Sequence, residues 1–488
     1  MPDQAIAHDT GAPNNTDPTL ASQRQVAVVL PYAVSIRDFV GSGLLSELVA
    51  NPSVRLTVYT LNPELPELEP ARASGVELRQ FVPHADSRLE AILKGLYLYL
   101  FSDQFVYIEQ GLAGRPSRKL LASMLVALRK IVGTGRFLTI YERMMLAIFR
   151  RSARARQIEG TPDLIIGTRS LLNSIDYGLM AEARTRGIPI LTLAGSWDNF
   201  TTKGFFPFAA KRIVVWNAKM QQELADIFAV PATNVLIAGY PRQASLMSLA
   251  SGMDAETYLR SIGIEGYSRF VLYAASYSEL TRVPGRSDPL EYEVMLAVCR
   301  KLEQTLPEDV CLVLRLHPFS DPEGKEIFES LTRSFVFVPG RKDVYVERVM
   351  GPDDEVHLAR QIALSECVVS LASTMTIDAL SLGKAVINTR FDPEPGLPYK
   401  HSNVRFFAYN HFRDIARLVD LPMAEDADAV VDFVEQVMAG APARLGDMAA
   451  FEKWYVPDHS SQFPQKVAAL VDDILARSAI TNTRDHTA

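Results

Sequence analysis

Glu366-Cys-Val-Val-Ser-Leu-Ala-Ser-Thr-Met-Thr-Ile-Asp-Ala-Leu-Ser-Leu-Gly-Lys-Ala-Val-Ile-Asn388 decides how the rest of the chain is read. Residues 367–371 form an apolar strand, small hydroxylic residues make a turn, 374–382 form one helix, and a second strand follows Gly383. Ser373 is a good N-cap, so the first backbone N–H groups of the helix point out of the end of a sheet with the positive end of the helix dipole behind them. This is an anion site. Asp378 lies one turn after Thr374 on the same face, where its carboxylate would accept from ribose hydroxyls while the helix start holds phosphate. A plain capped helix in an α/β sheet is the alternative.

At 488 residues the chain is too long for one ordinary core, and two domains are expected. A net charge of −7 gives no reason to expect a nucleic-acid partner. Cys299, Cys311 and Cys367 lie in apolar patterns without disulfide or zinc spacing, as buried cytosolic thiols do. No basic leader precedes an apolar run, and no stretch reaches the about 18 apolar residues of a membrane span. The reading is a cytoplasmic protein with a disordered tail over 1–24.

Outward from the quoted stretch, strands alternate with helices. In the first half, strands are expected at 25–31, 54–60, 76–82, 163–168, 188–193, 211–216 and 234–239. A helix over 39–49 follows the first strand. Loops at the carboxyl ends of such strands face a ligand cleft, which brings Arg37 and Asp38 to it. Asp38 is a candidate general base, with a helix cap as the alternative. After the 188–193 strand comes Ala194-Gly-Ser-Trp-Asp-Asn-Phe-Thr-Thr-Lys-Gly204, a loop with more polar groups than a reversal needs. Ser196, Asn199 and Lys203 are candidate acceptor or phosphate contacts, and Asp198 is a second candidate base.

Residues 86–158 read as a helical insertion. Between 115 and 156 eleven Lys or Arg stand against one acid, Glu142. Apolar residues from Leu120 to Ile131 and from Phe137 to Ile148 recur at helical spacing. These helices could lie on an anionic membrane surface. Otherwise the stripe packs on the sheet with the arginines solvated, or the basic face meets an anionic glycan.

Tyr240-Pro-Arg-Gln-Ala and the segment to 268 read as the connection between a 25–240 domain and a 241–478 domain, with a tail over 479–488. The second half repeats the pattern, with strands at 269–275, from 310, at 335–339, 367–371 and 384–389. Helices over 429–438 and 465–476 are expected to cover that sheet. Ser276 follows one strand end. Arg315 and His317 share a face at another, directed to the same crevice as Ser373 and Thr374. Asp426-Ala-Asp428 has the spacing of a metal motif but precedes a helix, where capping accounts for it. No metal and no cofactor beyond a co-substrate are expected.

Two Rossmann-like halves facing a cleft resemble the GT-B glycosyltransferases and their relatives, from about 26 to 476. Leu316-His317-Pro318 and Ser373-Thr374 with Asp378 look like the nucleotide-phosphate elements of bacterial surface-polysaccharide transferases: sialic acid and Kdo transferases that use CMP-sugars, and CDP-glycerol glycerophosphotransferases. The Ser196–Lys203 loop is similar to one in bacterial GT-B proteins of surface-glycan loci. The resemblance implies that His317, Ser373 and Thr374 hold a donor phosphate and Asp378 a ribose. Sugar transferases often have Glu at the position of Asp378, which leaves the donor class open. The expected activity is transfer of a sugar from a nucleotide-activated donor to a surface polysaccharide or lipid-linked glycan at the inner membrane face. Transfer of glycerol phosphate, nucleotide-sugar epimerisation or hydrolysis, and a non-catalytic scaffold are the rivals.

Overall fold

The computed structural model describes residues 23–31, 33–151, 156–168, 174–202, 204–206, 208, 210, 212–320, 322–342, 348–440 and 446–485. The N-terminal sheet holds β1 (Arg24–Leu30), β2 (Val54–Thr60), β3 (Glu77–Gln80), β4 (Leu164–Gly167), β5 (Ile190–Leu193), β6 (Arg212–Val215) and β7 (Val235–Ile237). Its order is β3-β2-β1-β4-β5-β6-β7, with every pairing parallel. Val28 in β1 stands opposite Val58 of β2 and Ile166 of β4, and all three are buried. Sheets covered on both faces need such unbroken apolar runs.

The C-terminal sheet is built from β8 (Arg269–Ala274), β9 (Val310–Arg315) and β10 (Ser334–Phe337), then, after a short antiparallel pair β11 (Arg341–Lys342) and β12 (Arg348–Val349), β13 (Val368–Ser370), β14 (Val386–Thr389) and β15 (Met423–Ala424). Its order is β10-β9-β8-β13-β14-β15, again parallel throughout. Parallel strands place all their carboxyl ends on one edge, so each sheet offers one row of loops to a ligand. The fold is therefore the two-domain α/β arrangement expected of GT-B. The three cysteines are free and buried.

Two elements depart from the sequence reading. Residues 39–49 are not one helix: a π-helical turn (Arg37–Gly41) is followed by the helix Leu44–Val49, with Gly43 between them at φ 82°. Only glycine takes that conformation without strain. The last helix, Phe463–Asp485, continues past 478 and does not cover the C-terminal sheet. Its stripe of Phe463, Val467, Val471 and Ile474 packs with Val26, Val28 and Leu45 of the first domain. Helical spacing gives the stripe but not the sheet it meets. By contrast Val430, Phe433 and Val434 of the helix Ala427–Met438 do pack on the second sheet. Where the chain crosses back, Gly239 has φ 111° and a Cβ there would lie 2.4 Å from Cα of Ser460.

The insertion consists of helices Arg88–Tyr99, Val106–Leu112, Pro116–Val132 and Thr134–Arg151. A capping box at Ser87 and Glu90 starts the first, and Gly133 separates the last two. Ala122, Val126, Leu138, Tyr141 and Met145 are among the buried residues of its last two helices. Most of the predicted stripe, including Leu120, Met124, Leu128 and Ile131, is exposed, so the packing alternative does not hold for it. Among the described residues no helix is long and apolar enough to cross a membrane.

Candidate active site

The carboxyl ends of the two sheets face a cavity of about 1070 Å³. Nine of the residues singled out in the sequence line it: Arg37, Ser196 and Asp198 from the first domain, and Ser276, Arg315, His317, Ser373, Thr374 and Asp378 from the second. Asp38 and Asn199 do not, and Lys203 lies outside the described residues. The lining carries six Arg or Lys (Arg37, Arg242, Arg282, Arg315, Lys400, Arg405) and three carboxylates (Asp198, Glu279, Asp378). In a chain of net charge −7 this is a local reversal of sign.

One residue separates His317 from the end of β9, and Pro318 follows it, so the ladder stops and the ring turns into the cavity lining. Its Nδ1 accepts the Phe319 N–H at 3.2 Å, and Tyr277 and Phe319 flank the ring at centroid distances of 5.5 and 5.4 Å. Burial first, then the charges of Arg315 and Arg37, push the imidazolium pKa down to about 4. At neutral pH the ring is therefore uncharged, with Nδ1 as acceptor and the proton on Nε2 as a donor. Arg315 is 3% exposed and held by neutral acceptors, the Gln361 side chain at 2.8 Å and the Asp354 carbonyl at 3.4 Å. Burial lowers its pKa to about 10, which leaves it charged at neutral pH.

Beyond β13, the helix Met375–Ser381 is shorter than predicted and Thr374, not Ser373, is its cap residue. Ser373 Oγ still accepts the Met375 N–H at 3.2 Å and lies 3.1 Å from Ser370 Oγ. Thr374 makes no capping bond. With two turns of helix the dipole contribution is small, so the hydroxyls and the nearby cations, not the dipole, would have to supply any affinity for an anion here. The N–H and hydroxyl of Ser276 both donate to Glu291, a fully buried carboxyl that burial pushes up to about 7.

Asp378 is where the sequence reading needs revision. Its Oδ2 is 2.9 Å from Nη1 of Arg242, its Oδ1 accepts the Tyr240 hydroxyl, and it is 3% exposed. Its charge is already balanced by Arg242 and it is almost closed to solvent, so a ribose role is not what this geometry favours. Arg242 Nη2 also pairs with Glu355 Oε2 at 2.9 Å, and Glu355 Oε1 lies 4.0 Å from Arg37 Nε. Burial raises the Glu355 carboxyl, but Arg242, Arg37 and Arg315 outweigh it and hold it below the usual carboxylate range. The result is a buried charge network joining the first domain, the interdomain connection and the second domain. Sequence pattern does not single out Tyr240, Arg242 or Glu355, and Tyr240-Pro-Arg reads there as connection only. Their signal was position: Tyr240 and Arg242 follow β7 at its carboxyl end, as every other cleft loop follows its strand.

On the opposite wall Asp38 is 7% exposed and pairs with Arg37 at 2.9 Å. Burial raises its pKa against the lowering effect of Arg37 and Arg242. It is neither the predicted helix cap nor a lining group, and it serves to anchor Arg37. Asp198 does line the cavity, accepting from Ser196 Oγ at 2.5 Å and Thr202 Oγ1 at 3.0 Å. Trp197 beside it is buried edge-on to His411 at 4.9 Å, which fixes the loop against the second domain. Asn199 is fully buried behind the loop, with no partner for its amide among the described residues.

Among the described residues, one group within metal-ligating reach, His84, Asp86 and Glu90, starts the insertion. There Lys94 is 2.7 Å from Asp86 and Glu90 accepts the Ser87 N–H at 2.8 Å. That is an internal ion-pair cluster closing a helix start. Asp426 caps its helix through the Ala429 N–H at 2.8 Å, as its position before a helix predicts.

The sequence matches no protein-family model and no curated protein. Similar solved structures span nearly the whole chain. The structure of S. aureus MnaA with UDP superposes with a TM-score of 0.53 at 11% identity, over 93% of this chain and 97% of that one. UDP-GlcNAc 2-epimerase from Neisseria meningitidis bound to UDP-GlcNAc gives 0.52 at 10% identity, over 93% and 100%. The Methanocaldococcus jannaschii UDP-GlcNAc 2-epimerase gives 0.51 at 8%, over 92% and 99%. Identities this low speak for architecture alone, and with the two facing parallel sheets they establish that this chain has the GT-B fold.

Proposed function

We propose that the protein is a glycosyltransferase that takes a sugar from a nucleotide-activated donor and passes it to a cell-surface polysaccharide or lipid-linked glycan. The observation that carries the reading is the cationic cavity between the carboxyl edges of two sheets in an acidic chain. Arg315, the neutral His317 and the Ser373-Thr374 pair converge there as fixed donors for a diphosphate. Charge developing on a departing phosphate is stabilised by such preorganised groups without a solvent reorganisation cost. Asp198, held by two hydroxyls on the facing wall, is positioned to take the acceptor proton. The cations of the cavity, rather than a bound metal, would balance the phosphate charge, and activity should then survive EDTA. That similar structures hold UDP or UDP-GlcNAc supports the donor class.

The epimerase identity of two of those structures favours a second reading, chemistry on a nucleotide-sugar without an acceptor. Thermal-shift screening with CMP, CDP, UDP and GDP tests both, because stabilisation by none of them would remove the nucleotide site altogether. Incubation with the matching nucleotide-sugar then separates them. Nucleotide release only when an acceptor glycan is added supports the transferase, and a rearranged sugar without acceptor supports the epimerase.

A further inference from the structure

The Pro116–Val132 helix carries two apolar faces. Ala122 and Val126, with Arg129, point inward and pack. On the opposite side Leu120, Met124, Leu128 and Ile131 recur at i, i+4, i+8 and i+11, one continuous stripe. They are 65%, 62%, 47% and 84% exposed. Ile140 of the Thr134–Arg151 helix is exposed as well. Leaving this much apolar surface in water costs about 25 cal/mol per Å², so an unoccupied stripe of this kind marks an interaction surface.

The surroundings of the stripe state what occupies it. Lys119 borders the stripe on its own helix, Arg136 and Arg143 are exposed on the Thr134–Arg151 helix, and Arg115 and Arg118 are exposed where the Pro116–Val132 helix begins. The one acid of the segment, Glu142, turns inward to Arg184 at 2.6 Å, and Arg129 is taken by Asp103 at 2.9 Å. An apolar strip inside a cationic rim matches a bilayer whose surface is anionic: the acyl boundary receives the leucines while headgroups meet the rim. A second copy of the chain would bring two cationic rims together and is disfavoured by the same charges. The helix that carries the stripe begins close to the cavity lining. Tyr107, Gln110 and Leu112 of the helix Val106–Leu112 line the cavity, and three residues separate that helix from Pro116.

We propose that the exposed apolar and basic face of the Pro116–Val132 and Thr134–Arg151 helices docks on an anionic lipid surface, so that the acceptor is carried by lipid and enters the cavity from the bilayer. The proposal deepens the reading given above, since it specifies the acceptor class of that same site.

Flotation of the full chain with vesicles of phosphatidylcholine alone, or with about one third phosphatidylglycerol, tests it at physiological salt. The expected result is co-flotation with the anionic vesicles and little with the neutral ones. Replacing Arg118, Lys119, Arg136 and Arg143 together with Gln should weaken partitioning about fivefold per charge. Leu120→Gln with Met124→Gln and Leu128→Gln should abolish it, and because all three side chains are exposed the variant should fold, which circular dichroism checks. Equal flotation with both vesicle types, or flotation unchanged in either variant, would overturn the proposal. So would a dimer in light scattering that only the Gln-substituted stripe disperses. Nucleotide-induced thermal shift on the same samples keeps the two claims apart: a chain that binds nucleotide but does not float defeats the docking proposal alone, and one that floats without binding nucleotide defeats the site reading alone.

Discussion

Replacing Arg242 with methionine probes the network that joins the two domains. The substitution removes the cation at 2.9 Å from both Asp378 and Glu355 while keeping the volume of the side chain. Arg242 is 5% exposed, so solvent does not screen the pair. Breaking a buried pair by deleting one partner strands the other charge and costs about 3–5 kcal/mol. For a chain of this size, with about 1 kcal/mol/K of unfolding entropy, that lowers Tm by roughly 3–5 °C. The pH dependence gives the sharper readout. In the wild type the arginines hold Glu355 below its usual range, so its contribution is present above the unfolded-state carboxyl pKa and is lost as pH falls through the lower folded value. Without Arg242 burial becomes dominant and lifts the folded pKa, so the penalty is felt at neutral pH and relieved as the carboxyls take up protons on acidification. Urea unfolding at about pH 5 and pH 8 should therefore show a larger deficit at the higher pH. Adding Glu355→Gln and Asp378→Asn should recover most of the loss. An equal deficit at both pH values, or one under about 1 kcal/mol, would refute the assignment of a charge network here.

Four further outcomes are expected. Because His317 has its pKa pushed down to about 4, it adds no titration of its own between pH 6 and 8, so His317→Ala should lower nucleotide affinity about tenfold in calorimetry by the same factor across that range. The same depressed pKa means that His317 contributes stability above its unfolded value of about 6.5 and that this is lost as pH falls toward 4, which acid titration of unfolding measures. Asp198→Asn should lower kcat about 10²–10⁴-fold with nucleotide affinity retained, measured by product release. Gly239→Ala should cost more than about 1 kcal/mol in urea unfolding, because φ 111° and the 2.4 Å approach of Ser460 leave no room for a Cβ.

Most of the architecture was legible because the strands are short, apolar and bounded by polar turns, and because parallel strands put their loops on one edge. That rule, with the capping pattern at Ser373, directs the Ser373-Thr374 turn, His317 and the 194–204 loop to the cavity they line. What stayed hidden depends on tertiary partners. Asp378 looks equally suited to ribose or to an ion pair until Tyr240 and Arg242 are seen beside it. Asp38 follows a strand end like the others, but the π-helical turn directs it away from the cavity lining. The stripe of the last helix is visible in sequence, yet only packing shows that it returns to the first domain. In the same way, helical spacing gave the apolar residues of the insertion without showing that Ala122 and Val126, and not Leu120 and Met124, are the packed ones.

The most direct test of the central claim is calorimetric titration of the full chain with CMP, CDP, UDP and GDP, repeated on His317→Ala and Thr374→Ala. The account predicts saturable binding of at least one of these nucleotides and about tenfold weaker binding in each variant. Absence of binding by all four, or affinity unchanged by both substitutions, would contradict a nucleotide-phosphate site at the end of the second sheet.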